Sequence, residues 1–488
     1  MLFYGTRHFS ICENPMSIPE DPRKSSSAAS RRTFLKKSAL AAGGALAAGL
    51  PAGRVAGVPA PGSVLGANDR LNVGFVGVGG QGFSAHVRTV ANAGSEGETW
   101  HNYDYNAVGM AVCDLYSGRR AQARDLLDSV RQARNLGDYT VETYEDHRRL
   151  IDNRDVDVVF IGTVDHWHAQ VAIDALAAGK HVYCEKPMTR YLGEAFDVAD
   201  AVKQSGRKFQ VGSQYTTEAK WHKAAELIRA GKIGPPTFAQ NSYMRNTPDG
   251  EWNYYALDEG VTPGTMDWEH WLGPVNNKID FNREHYHRWR KYLPYCAGIL
   301  GDLLAHMIHP LVIAANITEF PKRVVCIGNN IVTQSMLGPD DRSVTDNTQL
   351  LAEFPSGLCM LIAGSTVNEQ GVGQVIRGHE ATLYFGGNSV ELRPERPFAD
   401  LVDPESYENL EPGPHIPAHV ANLFDAIRSD TKTNGNIDVA LITQAIISMA
   451  EASERYGESI YLDRENRRFH TGTGTQLDMP TYGTFPES

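Results

Sequence analysis

The sequence predicts an α/β fold in two domains, the first a doubly wound parallel sheet and the second an α+β domain with a largely antiparallel sheet. Three observations support this prediction. Short apolar runs alternate with helical patterns up to residue 213, longer strand-like runs follow from residue 237, and 488 residues are enough for two hydrophobic cores. We expect domains over residues 70–213 and 214–488, with residues 1–69 outside the fold.

Residues 1–69 have the organisation of an export signal. A basic run from Ser30 to Lys37 is followed by a weakly apolar stretch from Ala39 to Leu50 and then by small residues. A stretch of about 12 residues is too short to cross a bilayer, for which about 20 are needed. The pair Arg31-Arg32 resembles the core of a twin-arginine signal. We therefore expect export of the folded protein by the twin-arginine machinery to the periplasm or another extracytoplasmic space, with no stable membrane anchor.

The composition is that of a globular protein that does not bind nucleic acid. Hydrophobic residues make up 42% and charged residues 21% of the chain, and the formal net charge is −12. Nucleic-acid binding needs clustered Lys and Arg to neutralise phosphates, and the sequence has no such cluster outside the signal segment. The six cysteines show neither a Cys-x-x-Cys pair nor zinc-ligand spacing, so we expect no metal site. Buried free thiols are favoured, while an oxidising compartment leaves a disulfide open.

The elements of the first domain alternate between strand and helix. A strand over residues 71–76 enters a glycine-rich turn, and a helical pattern follows to about residue 93. Later strands are expected over residues 107–113, 157–161, 181–184 and 209–211, with helices over residues 118–135, 168–178 and 192–204. In such folds the loops at the carboxyl ends of the parallel strands bind ligands, so motifs at these ends are candidate site residues.

The second domain shows longer strand patterns. After a helix over residues 217–230, strands are expected over residues 237–244, 323–334, 347–354, 358–365 and 381–385, and helices over residues 415–429 and 439–456. Turn residues at 354–357 and at 386–388 predict hairpins, which favours an antiparallel sheet. A long aromatic loop, residues 249–294, interrupts the sheet.

The glycine-rich turn carries a dinucleotide-binding pattern. Gly77, Gly79 and Gly82 have the spacing G-x-G-x-x-G, in which the glycines allow a tight turn, close approach of a pyrophosphate and close helix packing. We expect these glycines and Gln81 to contact the dinucleotide. A simple turn between strand and helix is the alternative, but the preceding strand and following helix favour the dinucleotide site.

Asp114 ends the second strand, where a carboxylate accepts hydrogen bonds from the two ribose hydroxyls and repels a 2′-phosphate. This favours NAD as the cofactor. Arg119 and Arg120 follow closely and leave NADP possible, although solvated helix charges are the more ordinary interpretation of these two residues.

Two further motifs follow the next strands. Thr163, His166, Trp167 and His168 come after the strand at residues 157–161, and we expect them to contact cofactor or substrate, a helix cap by Asp165 being the alternative. Lys186 comes after the strand at residues 181–184. A lysine at this edge can exchange a proton with a substrate hydroxyl, whereas an ordinary surface turn is the alternative.

Together with Glu185-Lys186-Pro187 and Gly212-Ser213-Gln214, these motifs resemble the Gfo/Idh/MocA oxidoreductase family, over roughly residues 71–463. The family is named for glucose-fructose oxidoreductase and inositol dehydrogenase. The resemblance implies a catalytic role for Lys186, for Asp302 and for His306, which follows Asp302 by four residues. It also implies cofactor contacts by Glu185 and Gln214. The family's glycine-rich run before the Asp is altered here to residues 296–300, which leaves the substrate open.

The resemblance implies hydride transfer between a sugar or polyol and a nicotinamide. Lys186 would act as the acid-base or electrophilic group, and His306, oriented by Asp302, would act as a proton shuttle or substrate ligand. Tyr286, Arg288 and His309 are weaker substrate-contact candidates. Since little free dinucleotide exists outside the cytoplasm, we expect a tightly held cofactor, covered by residues 94–106 or by the region before Arg70.

Two other functions remain open at this point. Some relatives of the family use bound NAD for redox-neutral cleavage of a glycosidic bond, although those lack the Glu-Lys-Pro segment retained at residues 185–187. A non-catalytic NAD-binding or scaffold protein would be expected to lose Lys186, Asp302 or His306, and all three are present. By analogy with the family, we expect a homo-oligomer that pairs through the sheet of the second domain.

Overall fold

The computed structural model describes residues 69–93, 103, 105–276, 278–332, 334–335, 338–413 and 415–485. The expected export signal lies outside the described residues, as does most of the 94–106 insertion. Within the described residues, every helix is too short or too polar to span a membrane.

The first sheet has six strands, all parallel. It contains β1 (Leu71–Val76), β2 (Ala107–Cys113), β3 (Glu142–Tyr144), β4 (Val158–Ile161), β5 (His181–Glu185) and β6 (Phe209–Gly212), in the order β3-β2-β1-β4-β5-β6. All four residues of the central strand β4 are fully buried, because helices cover both faces of the sheet. The predicted doubly wound parallel sheet is confirmed.

Helices connect these strands. They are α1 (Arg88–Val90), α2 (Ser117–Arg134), α3 (His147–Ile151), α4 (Asp165–Ala177) and α5 (Leu192–Ser205), and a π-helical turn over Gly82–Val87 precedes α1. The predicted helix after the glycine-rich turn is therefore a π-helical turn that continues into one short α-helical turn. β6 ends at Gly212, and the chain then enters the second domain.

The second sheet has eleven strands and is antiparallel except for one parallel pairing, between residues 236–244 and residues 359–365. Its strands are β7 (Pro236–Met244), β8 (Arg323–Asn329), β11 (Asn347–Glu353), β12 (Cys359–Ser365), β13 (Val375–Gly378), β14 (Ala381–Phe385), β15 (Val390–Pro394), β16 (Glu405–Tyr407), β17 (Ile460–Asp463), β18 (Arg468–Thr471) and β19 (Gln476–Asp478). A separate two-stranded ribbon contains β9 (Gln334–Ser335) and β10 (Gly338–Pro339). The largely antiparallel second sheet is confirmed, although the strand expected to run to residue 334 ends at Asn329.

Helices of the second domain bring it against the first. They are α6 (Ala219–Arg229), α7 (Trp268–Leu272), α8 (Arg283–His287), α9 (Ala305–Ala314), α10 (Ile416–Ser429) and α11 (Ile437–Tyr456). The buried helix α11 contacts α5 of the first domain as well as β8 and α9 of its own domain. Arg190, just after β5, forms two hydrogen bonds of 2.7 Å with the carboxylate of Glu451 on α11. Both side chains are buried, so this ion pair joins the two domains close to the carboxyl ends of the parallel strands.

Candidate active site

A cleft of about 860 Å³ opens at the carboxyl ends of the parallel strands and is lined by residues of both domains. Its lining includes many of the predicted site residues: Gly77, Gly79, Gln81, Asp114, Thr163, Trp167, His168, Glu185, Lys186, Gln214, Tyr286, Asp302 and His306. This is where doubly wound folds bind their ligands. Segments far apart in the sequence therefore meet in one cleft.

The glycine-rich turn forms one wall of the cleft. Gly77 has a φ of +80°, a left-handed conformation that glycine adopts at little cost, and its N–H donates to the Cys113 carbonyl at 2.8 Å. A Cβ at Gly82 would overlap the Gly77 carbonyl oxygen, and a Cβ at Gly79 would lie 2.7 Å from Nη1 of Arg119. Glycine at both positions thus keeps side chains out of the turn, and the space beside Gly80, which lines the cleft, is open. Such an open turn before a helix fits the pyrophosphate of a dinucleotide.

Asp114 is held in place at the end of β2. One carboxylate oxygen accepts the Val78 N–H and the other accepts the Tyr116 N–H, both at 2.9 Å. Each oxygen keeps a second lone pair for a ribose hydroxyl. The Arg119 guanidinium lies 4.9 Å from the centre of the Tyr286 ring and lines the cleft, so Arg119 is not merely a solvated helix charge. The residues present therefore fit the ribose of NAD at this end.

Lys186 and Asp302 form the centre of the site. Nζ of Lys186 donates to Oδ1 and to the backbone carbonyl of Asp302, each at 2.6 Å. Nε of Arg290 donates to the same Oδ1 at 3.0 Å, and Nε1 of Trp252 donates to Oδ2 at 3.1 Å. Burial disfavours the charge of Asp302, but Lys186 and Arg290 outweigh burial and hold its pKa well below its usual range. Asp302 therefore stays ionised and fixes the position of the Lys186 ammonium.

His306 stands close to this pair but is oriented differently from expectation. Its ring meets the rings of Tyr215 and Tyr243, with centroid distances of 5.3 and 6.2 Å. In the described part of the chain no hydrogen bond joins His306 to Asp302, because the Asp302 carboxylate is occupied by other donors. The expectation that Asp302 orients His306 is therefore wrong. Burial, together with the charge of Lys186, lowers the pKa of His306 well below its ordinary value, so the imidazole is neutral.

Glu185 lines the cleft and contacts two side chains at the start of the π-helical turn and within it. It accepts a hydrogen bond from Nε2 of His86 at 2.9 Å and lies 3.4 Å from Nε2 of Gln81. Burial opposes its ionisation, but the hydrogen bond and charge of His86, with help from Lys186, lower the pKa of Glu185 to about 2. Glu185 thus connects β5 to the π-helical turn. Sequence reasoning missed His86, since 99 residues separate it from Glu185 and no local pattern marks the pairing.

Four predicted site residues lie outside the cleft lining. Gly82 packs against the Gly77 carbonyl, and the other three are His166, Arg288 and His309. Nε2 of His166 donates to the Trp271 carbonyl at 2.8 Å, so His166 connects α4 to the second domain. Arg288 donates to both Glu284 carboxylate oxygens, at 3.0 and 3.1 Å. His309 is 1% exposed, and its Nδ1 donates to the Ala305 carbonyl within α9. In each of these three a nearby protein acceptor holds the side chain away from the cleft.

Two other predicted residues line the cleft as expected, but their neighbours differ from those expected. Tyr286 lies under Arg119 at the Asp114 end, so it borders the dinucleotide region rather than the Lys186 region. Nδ1 of His168 donates to the Pro187 carbonyl at 2.8 Å and so connects α4 to the turn that carries Lys186.

Asp165 and Arg290 line the cleft and were not among the predicted site residues. Asp165 is the first residue of α4, Val164 is the N-cap, and no side-chain capping bond is formed, so the alternative of a helix cap by Asp165 does not apply. Arg290 follows the rejected candidate Arg288 by two residues. A basic residue in an aromatic segment was the only sequence signal for Arg290, and it did not distinguish the two arginines.

The described residues contain no group of three or more His, Cys, Asp or Glu side chains arranged to hold a metal ion. Five cysteines are free thiols: Cys113, Cys184, Cys296, Cys326 and Cys359. The remaining cysteine, Cys12, lies outside the described residues.

Comparison with known protein families agrees with this geometry. Residues 71–213 match the Gfo/Idh/MocA model described as an oxidoreductase family with an NAD-binding Rossmann fold. Residues 250–479 match the model for the C-terminal alpha/beta domain of the same family. The chain belongs to the Gfo/Idh/MocA oxidoreductase family. Its N-terminal domain is accordingly an NAD-binding Rossmann domain.

Curated relatives match part of the chain. Inositol 2-dehydrogenase of Salmonella typhimurium is 29% identical over 205 residues, which cover 41% of this chain and 54% of the relative. A glycosyl hydrolase family 109 protein of Shewanella baltica is 27% identical over 272 residues, which cover 52% of this chain and 56% of the relative. The chain thus spans about half the length of the curated relatives it matches.

Two solved structures share the fold at low sequence identity. Levoglucosan dehydrogenase in complex with NADH and levoglucosan is 20% identical, with a TM-score of 0.58 over 81% of this chain and 100% of that chain. Aldose-aldose oxidoreductase from Caulobacter crescentus in complex with glycerol is 18% identical, with a TM-score of 0.56 over 80% and 100% of the two chains. At these identities the likeness supports the fold alone.

Proposed function

We propose that this protein is an NAD-dependent oxidoreductase that acts on a CH–OH group of a sugar, inositol or related polyol. The observation that carries the proposal is the 2.6 Å contact between Lys186 Nζ and Asp302 Oδ1, inside the cleft that begins at the glycine-rich turn. An ammonium group has three N–H donors, and Lys186 uses two of them on Asp302. The third remains for a substrate oxygen.

Each residue of the site can then be given a role in the reaction. NAD, when bound, supplies the acceptor or donor of hydride. Lys186 binds the oxygen of the reacting carbon and exchanges a proton with it, while Asp302 and Arg290 keep the ammonium in position. His306, with a neutral imidazole, can accept a hydrogen bond from a substrate hydroxyl.

Redox-neutral, NAD-dependent cleavage of a glycoside is the second candidate. The relatives in glycosyl hydrolase family 109 support it, at 27% identity. The retained Glu185-Lys186-Pro187 segment favours net oxidoreduction, because family relatives that cleave glycosides in this way lack it. The presence of Lys186, Asp302 and His306 together in the cleft also argues against a non-catalytic NAD-binding or scaffold role.

Contacts between the domains support a tightly held cofactor. We call residues 254–267 the cover segment. It contributes to the lining of the cleft and contacts the chain beside Asp114: the Thr265 carbonyl accepts the Ser117 N–H at 3.1 Å, and Oδ2 of Asp258 accepts the Tyr116 hydroxyl at 3.1 Å. These contacts lie at the ribose end of the expected dinucleotide site. The residues earlier expected to cover the cofactor lie mostly outside the described part of the chain.

The proposal includes export and self-association. Little free dinucleotide is available outside the cytoplasm, so export by the twin-arginine route, suggested by Arg31-Arg32, is consistent with a cofactor that travels with the enzyme. Exposed apolar side chains on β8 and β11, namely Val325, Ile327 and Leu351, support pairing of two copies through the second sheet. NADP remains the alternative cofactor because Arg119 lies in the cleft.

The test is to purify the protein from the cytoplasm without added cofactor, release any dinucleotide by denaturation, and identify it by mass. The same preparation is then assayed with myo-inositol, levoglucosan, simple aldoses and nitrophenyl glycosides, with the nicotinamide absorbance and the release of nitrophenol as readouts. We expect bound NAD and a change in nicotinamide absorbance with at least one of these polyols. Protein that purifies empty and turns over only with stoichiometric added NAD would contradict tight binding. Release of an aglycone with no net change in nicotinamide absorbance would favour the second candidate.

A further inference from the structure

Asp165 is a carboxylate in the cleft to which the proposed chemistry gives no role. It begins α4, directly after the loop that follows β4, and only 3% of its surface is exposed. That small exposed part belongs to the cleft lining. Acidic residues in the first turn of a helix are ordinary when water solvates them, but a nearly buried carboxylate needs hydrogen-bond donors.

The neighbouring charged groups of the cleft all have partners. Lys186 and Arg290 donate to Asp302, and Glu185 accepts from His86. In contrast, the Asp165 carboxylate accepts no hydrogen bond from any residue in the described part of the chain. It is therefore the one buried carboxylate of the described cleft lining whose acceptor capacity is unused.

The charged groups that face Asp165 do not compensate the cost of burying its carboxylate. They are Arg290, Asp302, Lys186 and Arg190, together with the thiols of Cys184 and Cys296. Burial raises the pKa of Asp165 to about 7, since the attraction of Arg290 and Lys186 is weaker than desolvation and is opposed by Asp302. A donor that enters the cleft would stabilise the ionised form and lower this pKa.

We propose that Asp165 accepts a hydrogen bond from a second hydroxyl of the polyol, one that is not oxidised, and thereby selects substrates that carry this hydroxyl. The inference rests on the proposed function. The substrate hydroxyl supplies the missing donor, whereas an analogue without it leaves the carboxylate buried and unpaired. An unsatisfied buried acceptor costs about 1–3 kcal/mol, which corresponds to about a tenfold to hundredfold preference for the complete substrate.

The proposal also sets the sign of a pH dependence. The substrate hydroxyl pairs with the ionised carboxylate, so binding is favoured above the pKa of free Asp165 and weakens as the pH falls through about 7. We expect kcat/KM to fall on the acid side of this value. The variant Asp165→Asn has no titrating group at this position and should lose that acid limb.

The experiment compares the wild-type holoenzyme with Asp165→Asn on one polyol that is turned over and on its monodeoxy analogues. We expect the variant to lower kcat/KM for the parent polyol at least tenfold, mainly through KM. It should also abolish the discrimination against one particular deoxy analogue. Affinity for NADH, measured by fluorescence, should be unchanged, because the glycine-rich turn and Asp114 carry those contacts.

Glu454→Gln is the matched control. Burial likewise raises the pKa of Glu454 to about 7, but Glu454 lies on α11 and does not line the cleft. This control should keep the wild-type pH profile and the wild-type discrimination among analogues. Equal discrimination and an equal acid limb in Asp165→Asn and wild type would overturn the inference while leaving the proposed function standing. Failure of the wild-type holoenzyme to turn over any polyol would overturn both.

Discussion

Lys186 Nζ and Asp302 Oδ1 lie 2.6 Å apart, in a contact that joins the parallel-sheet domain to the second domain. The two residues are 116 positions apart in the sequence, and Arg290 adds a second cation to the same carboxylate oxygen. Lys186 of the first domain is therefore held in position by a carboxylate of the second domain. Separation or misalignment of the domains would release Lys186 from this position.

The first prediction concerns Lys186→Met. Turnover should fall at least about a hundredfold, because removal of a general acid-base group typically costs a factor of about 10² to 10⁴. Binding of NADH, followed by fluorescence, should change little, since other residues contact the dinucleotide. Lys203→Met, an exposed position on α5, is the control and should behave as wild type. A parallel loss of turnover and NADH binding would indicate a structural role for Lys186 instead.

The second prediction concerns cofactor choice. Asp114→Ala should weaken NAD selectively and reduce any preference over NADP, because the carboxylate that accepts the ribose hydroxyls and repels a 2′-phosphate is gone. Dissociation constants for NADH and NADPH measure this preference. Asp125→Ala, an exposed acid on α2, should leave both constants unchanged. Tighter binding of NADPH than NADH by the wild-type protein would refute the role given to Asp114.

The third prediction concerns the cover segment. Tyr116→Phe and Asp258→Ala each remove the hydrogen bond between these two side chains, and each should speed NADH dissociation about two- to fivefold, as expected for an exposed hydrogen bond. The double variant should be no faster than the single variants, because both remove the same bond. Stopped-flow displacement of bound NADH gives the rates. Additive effects, or none, would mean that the cover segment does not retain the cofactor through this contact.

The fourth prediction concerns the buried ion pair of Arg190 and Glu451. Glu451→Gln leaves a buried guanidinium without its anion and should lower the free energy of unfolding by about 3–5 kcal/mol. Glu391→Gln breaks an exposed pair with Arg393 and should cost less than about 1 kcal/mol. Urea denaturation compares the two variants. Similar losses in both would show that the position of Glu451 between the domains adds no stability.

The fifth prediction concerns export. Replacement of Arg31 and Arg32 by Lys should leave the precursor in the cytoplasm, since the arginine pair is the recognised part of the signal that these residues resemble. Cell fractionation and immunoblotting follow the protein. Unimpaired export of the double variant would refute the twin-arginine assignment.

Local patterns in the sequence were enough to predict the first domain and the dinucleotide end of the site. The strand at residues 71–76, the glycine spacing from Gly77 to Gly82 and the acid at Asp114 are all defined within about 45 residues of chain. Their physical causes are local as well: a buried strand is apolar, a left-handed turn needs glycine, and a strand end presents its next residue to the ligand. Such features can be identified without knowing which segments meet.

The residues at the substrate end of the site could not be predicted in this way, because their positions depend on contacts that no local pattern specifies. Arg288 and Arg290 are two positions apart, and His306 and His309 are three apart, yet one member of each pair lines the cleft and the other is bound by an internal acceptor. A π-helical turn over Leu300–Leu304 comes directly before α9. It has more residues per turn than an α-helix, so α-helical spacing does not predict which side chains of α9 face the cleft.

The sequence by itself determined the fold class, the family and the identity of Lys186 and Asp302 as reactive candidates. Only the tertiary structure decided that Asp302 orients Lys186 rather than His306, and that Asp165 lies in the cleft without a donor. The physical reason is that pairing and desolvation depend on which atoms of distant segments come within about 3 Å of one another. That information arises when the two domains pack, and it is absent from any stretch of sequence taken alone.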